Sequence, residues 1–339
     1  MLSPTAMTHV HMKALVLLAS LFLNLSFALA QSKTGTTIGQ FLLIEPSARA
    51  MGMANASVTT YGDPSSGYFN PAAPAWEPRT AVQFSHGAWL AGISHQFATA
   101  DLRLGQTDVL SVSVTSLNSG EIAVRTVEQP LGTGEQYQVK DLALSVGYSR
   151  KLSDRFSAGV NLKYVTERIW NSALQAGALD FGVMYKLPFG AQLGASLSNF
   201  GTKGKFDGKD LRIRFDANPD KYGDNSSLPA ALVTEAHQLP VLFRVGMDYP
   251  VSLGKKAQAI FAVNAYHPSD NTESVSFGTE ITLFETFSLR GGYQHLFQQD
   301  HETGLTLGAA IHYKIDQYRF RFDYGWADFG GRGSTKRLG

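Results

Sequence analysis

Residues 142–164 read LALSVGYSRKLSDRFSAGVNLKY, and apolar residues occupy every second position on both sides of a short polar turn. Leu142, Leu144, Val146 and Tyr148 alternate with small or polar residues, and the same period continues from Phe156 to Tyr164. A period of two is the pattern of a β-strand that has one apolar and one polar face. The pattern recurs from about residue 80 to the end of the chain and predicts an all-β fold of antiparallel hairpins.

Two architectures share this alternation. A soluble β-sandwich turns its apolar face inward, whereas a transmembrane barrel turns it toward lipid and its polar face toward the lumen. Many segments exceed the about five or six residues usual in soluble sheets, and several end in tyrosine, as at an interfacial aromatic girdle. These features favour a transmembrane antiparallel β-barrel. About fifteen candidate strands are visible, which predicts an even number of about 14 or 16. The segments near residues 122–126 and 211–216 are the weakest of them.

The N-terminus has the features of a cleavable export signal. Lys13 precedes the apolar run 14–23, and Ala28-Leu29-Ala30 matches an A-x-A cleavage site before Gln31. A membrane-anchoring helix is the alternative, but the apolar run is short for a bilayer span. We therefore predict a signal peptide at 1–30, an N-terminal plug at 31–79 and a barrel at 80–339.

Composition excludes several functions. The formal net charge is +1, so nothing favours nucleic acid as a partner. The chain contains 0 cysteines, which removes disulfides, thiolate metal sites and cysteine nucleophiles. Its 9 histidines show no HxxxH or HExxH spacing. The sequence therefore predicts neither an enzyme nor a cofactor or metal site.

The stretch 41–73 differs from everything after it, because it is rich in small residues and is broken at Asp63-Pro64 and Asn70-Pro71. We predict that 48–57 forms a short helix within the lumen or capping it on the periplasmic side. Arg49 would then pair with a lumen carboxylate. The candidate plug residues are Arg49, Met51, Gly52, Asn70 and Pro71.

The polar phase of the strands carries charges of both signs. Such charges in a low-dielectric lumen need partners, so we expect them to pair across the lumen and to hold wall and plug together. An ion or polar-solute pathway is the functional alternative. The residues concerned are Lys163, Glu167, Asp180, Arg244, Asp248, Glu280, Arg290, Arg319, Arg321 and Asp323.

Several phrases of the chain resemble the PorV/PorQ family, part of the wider class of FadL-type outer-membrane barrels. The start of the resemblance is GTT at 35–37, QFL at 40–42, ARAMG at 48–52 and FNPA at 69–72. Downstream it continues in SLSNFG (196–201), LPVLFRVG (239–246), LRGGYQ (289–294) and FDYGWADFG (322–330). The resemblance implies a barrel of about 14 strands in the outer membrane.

One departure from the family concerns the barrel seam. In the family, a segment like GSTKRL at 333–338 begins the last strand, whereas this sequence stops at Gly339. We therefore expect a truncated last strand and a gap between residues 81–85 and 318–324.

The resemblance implies a non-enzymatic component of type IX secretion and cell-surface attachment. Its partners would be lipid of the outer membrane, and exported cargo or proteins of the secretion and attachment complexes. The alternatives are a FadL-type channel for hydrophobic small molecules and a structural barrel without either role. The charged lumen argues against the channel, although residues 41–44 (FLLI) could line an apolar pocket. We therefore predict that no hydrophobic substrate is transported.

Overall fold

The computed structural model describes residues 34–221, 227–298 and 304–339. The predicted signal peptide and its cleavage site lie outside these residues. Strands dominate the described chain, and its helices are short. Among the described residues, no helix is both long and apolar enough to cross a bilayer.

The described residues contain nineteen strands. They are β1 (Ala81–Ala88), β2 (Ser94–Arg103), β3 (Asp108–Asn118), β4 (Ile122–Ala123), β5 (Gln136–Tyr137), β6 (Val139–Ser153), β7 (Phe156–Ile169), β8 (Ser172–Lys186), β9 (Gln192–Gly201), β10 (Asp207–Gly208), β11 (Arg212–Phe215), β12 (Leu228–Ala231), β13 (Leu242–Ser252), β14 (Ala257–Pro268), β15 (Ser274–Leu283), β16 (Phe287–Leu296), β17 (Leu305–Ile315), β18 (Tyr318–Asp328) and β19 (Ser334–Leu338).

A closed antiparallel barrel of 14 strands is formed by β1–β3, β6–β9 and β13–β19. Each barrel strand pairs with its neighbour, and the ring closes where β19 pairs with β1. The predicted all-β barrel and its strand number are therefore confirmed. The two weakest strand segments of the sequence lie outside the ring, because β4–β5 and β11–β12 are hairpins within loops.

The apolar face of the strands points outward. Val146 is 52% exposed and Leu307 is 50% exposed, whereas Asp180, on the opposite face, is fully buried. Phe181 and Val245 also lie on the outer surface rather than in a shared core. This arrangement matches a barrel in lipid and excludes the soluble β-sandwich.

The seam differs from our expectation. All five residues of β19 pair with Tyr324–Asp328 of β18, and the last three of them also pair with residues 86–88 of β1. The predicted gap is therefore wrong for the extracellular part of the seam, because the turn at 329–333 folds the chain back along β18 and this short strand pairs with both neighbours. Nearer the short turns the prediction holds, since residues 81–85 and 318–322 form no ladder with each other.

The chain before β1 lies inside the barrel. It contains the helices α1 (Ala48–Gly52) and α2 (Ser66–Phe69), with 3-10 turns at Gln40–Leu43 and Pro74–Trp76. The Ser47 side chain caps α1 by accepting a hydrogen bond from the Ala50 N–H at 3.3 Å. We refer to residues 34–79 as the plug.

Helix α1 is shorter than the predicted helix over 48–57. It ends at Gly52 because Ala54 and Asn55 adopt left-handed conformations, with φ of 55° and 60°. It lies within the lumen, one of the two predicted placements, and packs on Gly308 and Gly325, nearer the long loops than the short turns. The approach is close, since a Cβ on Gly52 would lie 2.9 Å from the Gly308 Cα.

The two ends of the barrel differ in their connections. At one end short turns join strands, as between β6 and β7 or between β17 and β18. At the other end long loops connect β3 to β6 and β9 to β13. Outer-membrane barrels have short periplasmic turns and longer extracellular loops. The long-loop end is therefore the extracellular end.

Candidate functional site: the plugged lumen and the extracellular loops

A continuous chain of ion pairs joins the plug to the wall. Arg49 and Asp63 belong to the plug and form the two ends of this chain, and its other four members point inward from β15, β16 and β18. The successive N–O distances are 2.7 Å for Arg49–Glu280, 2.5 Å for Glu280–Arg290, 2.7 Å for Arg290–Asp323, 2.5 Å for Asp323–Arg321 and 2.6 Å for Arg321–Asp63.

The signs in this chain alternate, so Glu280 and Asp323 each lie between two guanidinium groups and Asp63 ends the chain on Arg321. Burial alone would raise the pKa of Asp63, but the charges of Arg321 and Arg49 outweigh it and hold that pKa at about 2. Charged groups taken out of water are tolerated when they are paired in this way. The chain therefore fixes the plug against one side of the wall.

A second polar cluster lies on the opposite wall. Lys163 pairs with Asp180 at 2.8 Å and donates to the Asn199 side chain at 2.9 Å. The Lys163 ammonium also lies 5.6 Å from the centre of the Tyr68 ring in the plug. The plug is thus held through a cation–π contact as well as through ion pairs.

A third cluster surrounds Glu45 of the plug. Arg244 lies 3.8 Å from the Glu45 carboxylate and donates to Ser198 at 3.0 Å. Arg337 of β19 contacts Ser85 at 3.2 Å and His95 at 2.9 Å. Both arginines are only 1% exposed. Burial raises the pKa of Glu45 to about 7, although Arg244 and Arg337 partly oppose it.

The remaining predicted charges have different positions. Glu167 accepts a hydrogen bond from the Gly39 N–H of the plug at 2.8 Å. Asp248 is buried. Arg319 is exposed at the short-turn end and forms no ion pair within the described parts of the chain. Arg319 therefore does not belong with the paired lumen charges.

The predicted plug residues contact the wall directly. The Asn70 side chain donates to the backbone oxygens of Val58 and Val183, at 2.9 and 3.0 Å. Pro71 lies so close to Gly159 that a Cβ there would stand 2.1 Å from the Pro71 oxygen. Met51 packs against Gly325. These contacts require glycine on the wall.

Sequence reasoning missed Glu45 and Arg337. Glu45 lies in an irregular stretch before Pro46, where no periodicity marks its environment. Arg337 lies in the segment taken for the start of a truncated strand. The structure buries Thr335 and Arg337 between exposed neighbours, but residues 334–337 are all polar and show no alternation in the sequence.

Among the described residues, cavities lie beside the plug toward both ends of the lumen. One of about 940 Å³ opens at the short-turn end and is lined by charged side chains such as Arg79, Lys314 and Arg319. The other, of about 210 Å³, lies toward the extracellular loops and is lined by Leu43, Ile44, Met51, Trp89, Tyr266 and Phe329. Phe41 and Leu42, also expected at an apolar pocket, are instead buried in a core cluster.

The extracellular loops form a separate surface. A groove of about 680 Å³ separates the β4–β5 hairpin from the root of the β11–β12 hairpin. The Tyr137 and Trp170 rings, 6.0 Å apart, lie on one side of this groove. Within the described residues no group of three or more His, Cys, Asp or Glu side chains could hold a metal ion.

Comparisons with known proteins agree with this architecture. The family model described as type IX secretion system protein PorV matches residues 27–186. No curated protein sequence matches the chain. The resemblance to the PorV/PorQ family and to FadL-type barrels is therefore confirmed, with the family match confined to residues 27–186.

Solved structures share the fold at low sequence identity. The CymD monoaromatic hydrocarbon channel is 11% identical with a TM-score of 0.54, covering 87% of this chain and 96% of that one. The Pseudomonas putida toluene transporter TodX is 11% identical with a TM-score of 0.53, covering 86% and 95%. A Pseudomonas aeruginosa FadL homologue is 10% identical with a TM-score of 0.51, covering 86% and 96%. This chain is an outer-membrane β-barrel with a FadL-like fold.

Proposed function

We propose that this barrel is a non-enzymatic component of type IX protein secretion and cell-surface attachment. It binds exported cargo, or partner proteins of the secretion and attachment complexes, through its extracellular surface. The observation that carries this proposal is the match of residues 27–186 to the PorV family model. The ion-pair chain supports it, because a plug held in this way leaves the loops as the variable surface.

The proposal is tested by deleting the gene and measuring where exported proteins accumulate. We expect cargo to be lost from the cell surface and retained in the periplasm, with rescue by the intact gene. Photo-crosslinkers placed in the extracellular loops should capture exported proteins, whereas the same crosslinker at exposed Leu152, beside a short turn, should not. Unchanged surface display after deletion, together with no protein captured at the loops, would overturn the proposal.

A second candidate function is a channel for hydrophobic small molecules. The apolar cavity of about 210 Å³ beside Leu43 and Ile44 favours it, as do the hydrocarbon and toluene transporters that share the fold. The charged ion-pair chain and the bulk of the plug oppose it. We expect vesicles containing the protein to take up radiolabelled toluene no faster than empty vesicles. Uptake that disappears when Ile44→Arg fills the cavity would favour the channel instead.

A further inference from the structure

The hairpin of β11 and β12 projects from the long loop between β9 and β13. Its four residue pairs run from Arg212 opposite Ala231 to Phe215 opposite Leu228. The ladder continues at its root, where the Leu232 N–H donates to the Leu211 oxygen at 2.8 Å. The hairpin is therefore a regular two-stranded ribbon.

Each face of this ribbon has a distinct chemistry. Residues directly opposite each other in a ladder share a face. Ile213 and Phe215 therefore share one face with Ala230 and Leu228, while Arg212 and Arg214 lie on the other. Ile213 is 38% exposed and Phe215 is 52% exposed. The apolar face is thus left largely open to solvent.

A two-stranded ribbon of this kind is marginally stable alone, and a third strand or a packed face normally completes it. Within the described residues β11 pairs with β12 and with no strand on its other edge. A free edge presents unpaired N–H and C=O groups that an extended chain can pair with. The ribbon has the backbone and the apolar surface that such a strand needs.

The charges indicate what that strand carries. Arg212 and Arg214 are two positions apart, so their side chains leave the strand on one face about 7 Å apart. Neither forms an ion pair within the described chain, and Arg214 donates only to the Ser227 hydroxyl at 3.0 Å. The acidic neighbours are engaged elsewhere: Asp210 accepts from the Asn171 side chain at 3.1 Å, and Asp216 accepts from the Asn218 N–H at 3.0 Å.

We propose that β11 accepts an extended segment of a protein partner as a third strand, in which acidic residues alternate with apolar ones. The acidic residues face Arg212 and Arg214 across the new ladder, and the apolar residues extend the face of Ile213 and Phe215. Cross-strand pairs of opposite charge and of apolar residues stabilise such a ladder. This inference rests on the proposed function, since it names the chemistry of a partner for the extracellular surface.

The neighbouring groove adds an apolar end to this site. Leu211 directly precedes β11 and lines the groove together with Phe206, Trp170 and Ile122. A segment paired along β11 ends beside this groove, where a terminal aromatic or aliphatic side chain can be buried. The partner segment is therefore expected to carry a large apolar residue at that end.

The test uses the full barrel in lipid nanodiscs and a labelled peptide of alternating Glu and Val, blocked at both ends and about eight residues long. Binding is followed by fluorescence anisotropy. We expect Arg212→Glu with Arg214→Glu to weaken binding by about tenfold or more, and to create binding of the corresponding Lys–Val peptide. Lys203→Glu with Lys205→Glu is the matched control, since both lysines are exposed in the same loop outside β11. This control should leave binding unchanged.

A second peptide separates strand addition from charge attraction alone. Methylation of alternate backbone nitrogens removes ladder donors and keeps every side chain, so it should abolish binding. Equal binding of the methylated peptide, or of the Glu–Val peptide by the Arg212→Glu and Arg214→Glu variant, would overturn the inference. If that variant still captures exported proteins in cells, the hairpin inference fails while the proposed function stands. If neither the wild type nor any loop variant captures exported proteins, both the hairpin inference and the proposed function fail.

Discussion

The plug–wall interface and the β11–β12 hairpin handle charge in opposite ways. At the interface, Arg290 lies between two carboxylates at 2.5 and 2.7 Å and is almost completely buried. On the hairpin, Arg212 and Arg214 are exposed and form no ion pair within the described chain. A buried charge needs its partner within the same chain, whereas an exposed charge can take one from outside. We infer from this difference that the buried charges stabilise the fold and that the exposed charges of the hairpin are available to bind a partner.

The largest effect that this comparison predicts comes from removing the centre of the ion-pair chain. Arg290→Ala leaves Glu280 and Asp323 buried without their shared partner, and we expect a loss of about 3–5 kcal/mol in the free energy of unfolding. Urea unfolding of the barrel in lipid vesicles measures it. Arg319→Ala is the matched control on the same lumen face and should change the free energy by less than about 0.5 kcal/mol. Similar losses for both variants would contradict the distinction between paired and unpaired lumen charges.

A pH dependence should follow from Glu45. Its pKa is raised to about 7 in the fold, against an ordinary value of 4.5, so between these values the folded chain holds a proton that the unfolded chain has lost. This contribution is complete below pH 4.5 and disappears as the pH rises through about 7. It amounts to at most on the order of 3 kcal/mol.

Glu45→Gln should flatten the dependence of unfolding free energy on pH between 5 and 7. Asp63 provides the internal contrast, because its lowered pKa stabilises the fold above its ordinary value and loses that effect as the pH falls toward about 2. The measurement is a series of urea titrations at stepped pH. If the unfolding free energy of the Glu45→Gln variant changes with pH as steeply as that of the wild type, Glu45 is not the source of the pH dependence.

A smaller effect is expected where plug backbone meets wall glycine. Gly159→Ala places a methyl group 2.1 Å from the Pro71 oxygen, so the plug must shift, at a cost of about 1–3 kcal/mol. Gly291→Ala is the control, because its nearest neighbour would lie 3.9 Å away. Limited proteolysis of the plug and urea unfolding should both distinguish the two variants. Equal stability and equal proteolysis of the two variants would mean that the plug can shift away from Gly159 at little energetic cost.

The smallest effect is expected on the hairpin. Arg212→Glu with Arg214→Glu removes no ion pair within the chain, so the free energy of unfolding should change by less than about 0.5 kcal/mol. Differential scanning calorimetry in nanodiscs checks this. A large loss of stability would show that these arginines serve the fold and would blur the contrast with Arg290.

The sequence predicted the barrel wall far better than it predicted the position of the plug and the pairing of charges inside the barrel. A period of two assigns each residue to the lipid or the lumen, so Asp180, Arg244 and Glu280 could be placed on the inner face from local pattern alone. Which partner each one takes depends on strand register and on where the plug lies, and both are non-local. Arg49 could thus be given a lumen carboxylate as partner without that carboxylate being identified as Glu280.

The errors have the same origin. Small residues suggested a helix through residue 57, but contacts with the wall favour left-handed backbone at Ala54 and Asn55. The closed, extracellular part of the seam was not predicted, because strands counted by pattern included loop hairpins and because the reach of five residues between two strands depends on three-dimensional geometry. Arg319 shares the phase of Arg321, yet two residues nearer the turn it is exposed. The alternation shows which face of the strand a residue lies on, but it does not show how far that residue lies from the end of the barrel.

The close glycine contacts of the plug bear on the order of events during biogenesis. With Gly278 and Gly159 both touching plug backbone, a plug bearing side chains cannot slide into a ring that has already closed. We therefore expect the plug to settle while the ring is open and β19 to join β1 last. Because the chain contains 0 cysteines, Ala88→Cys with Lys336→Cys would report closure through a disulfide at a known register pair. During refolding, that disulfide should form no earlier than protection of the plug from protease, and an earlier disulfide would reverse the order.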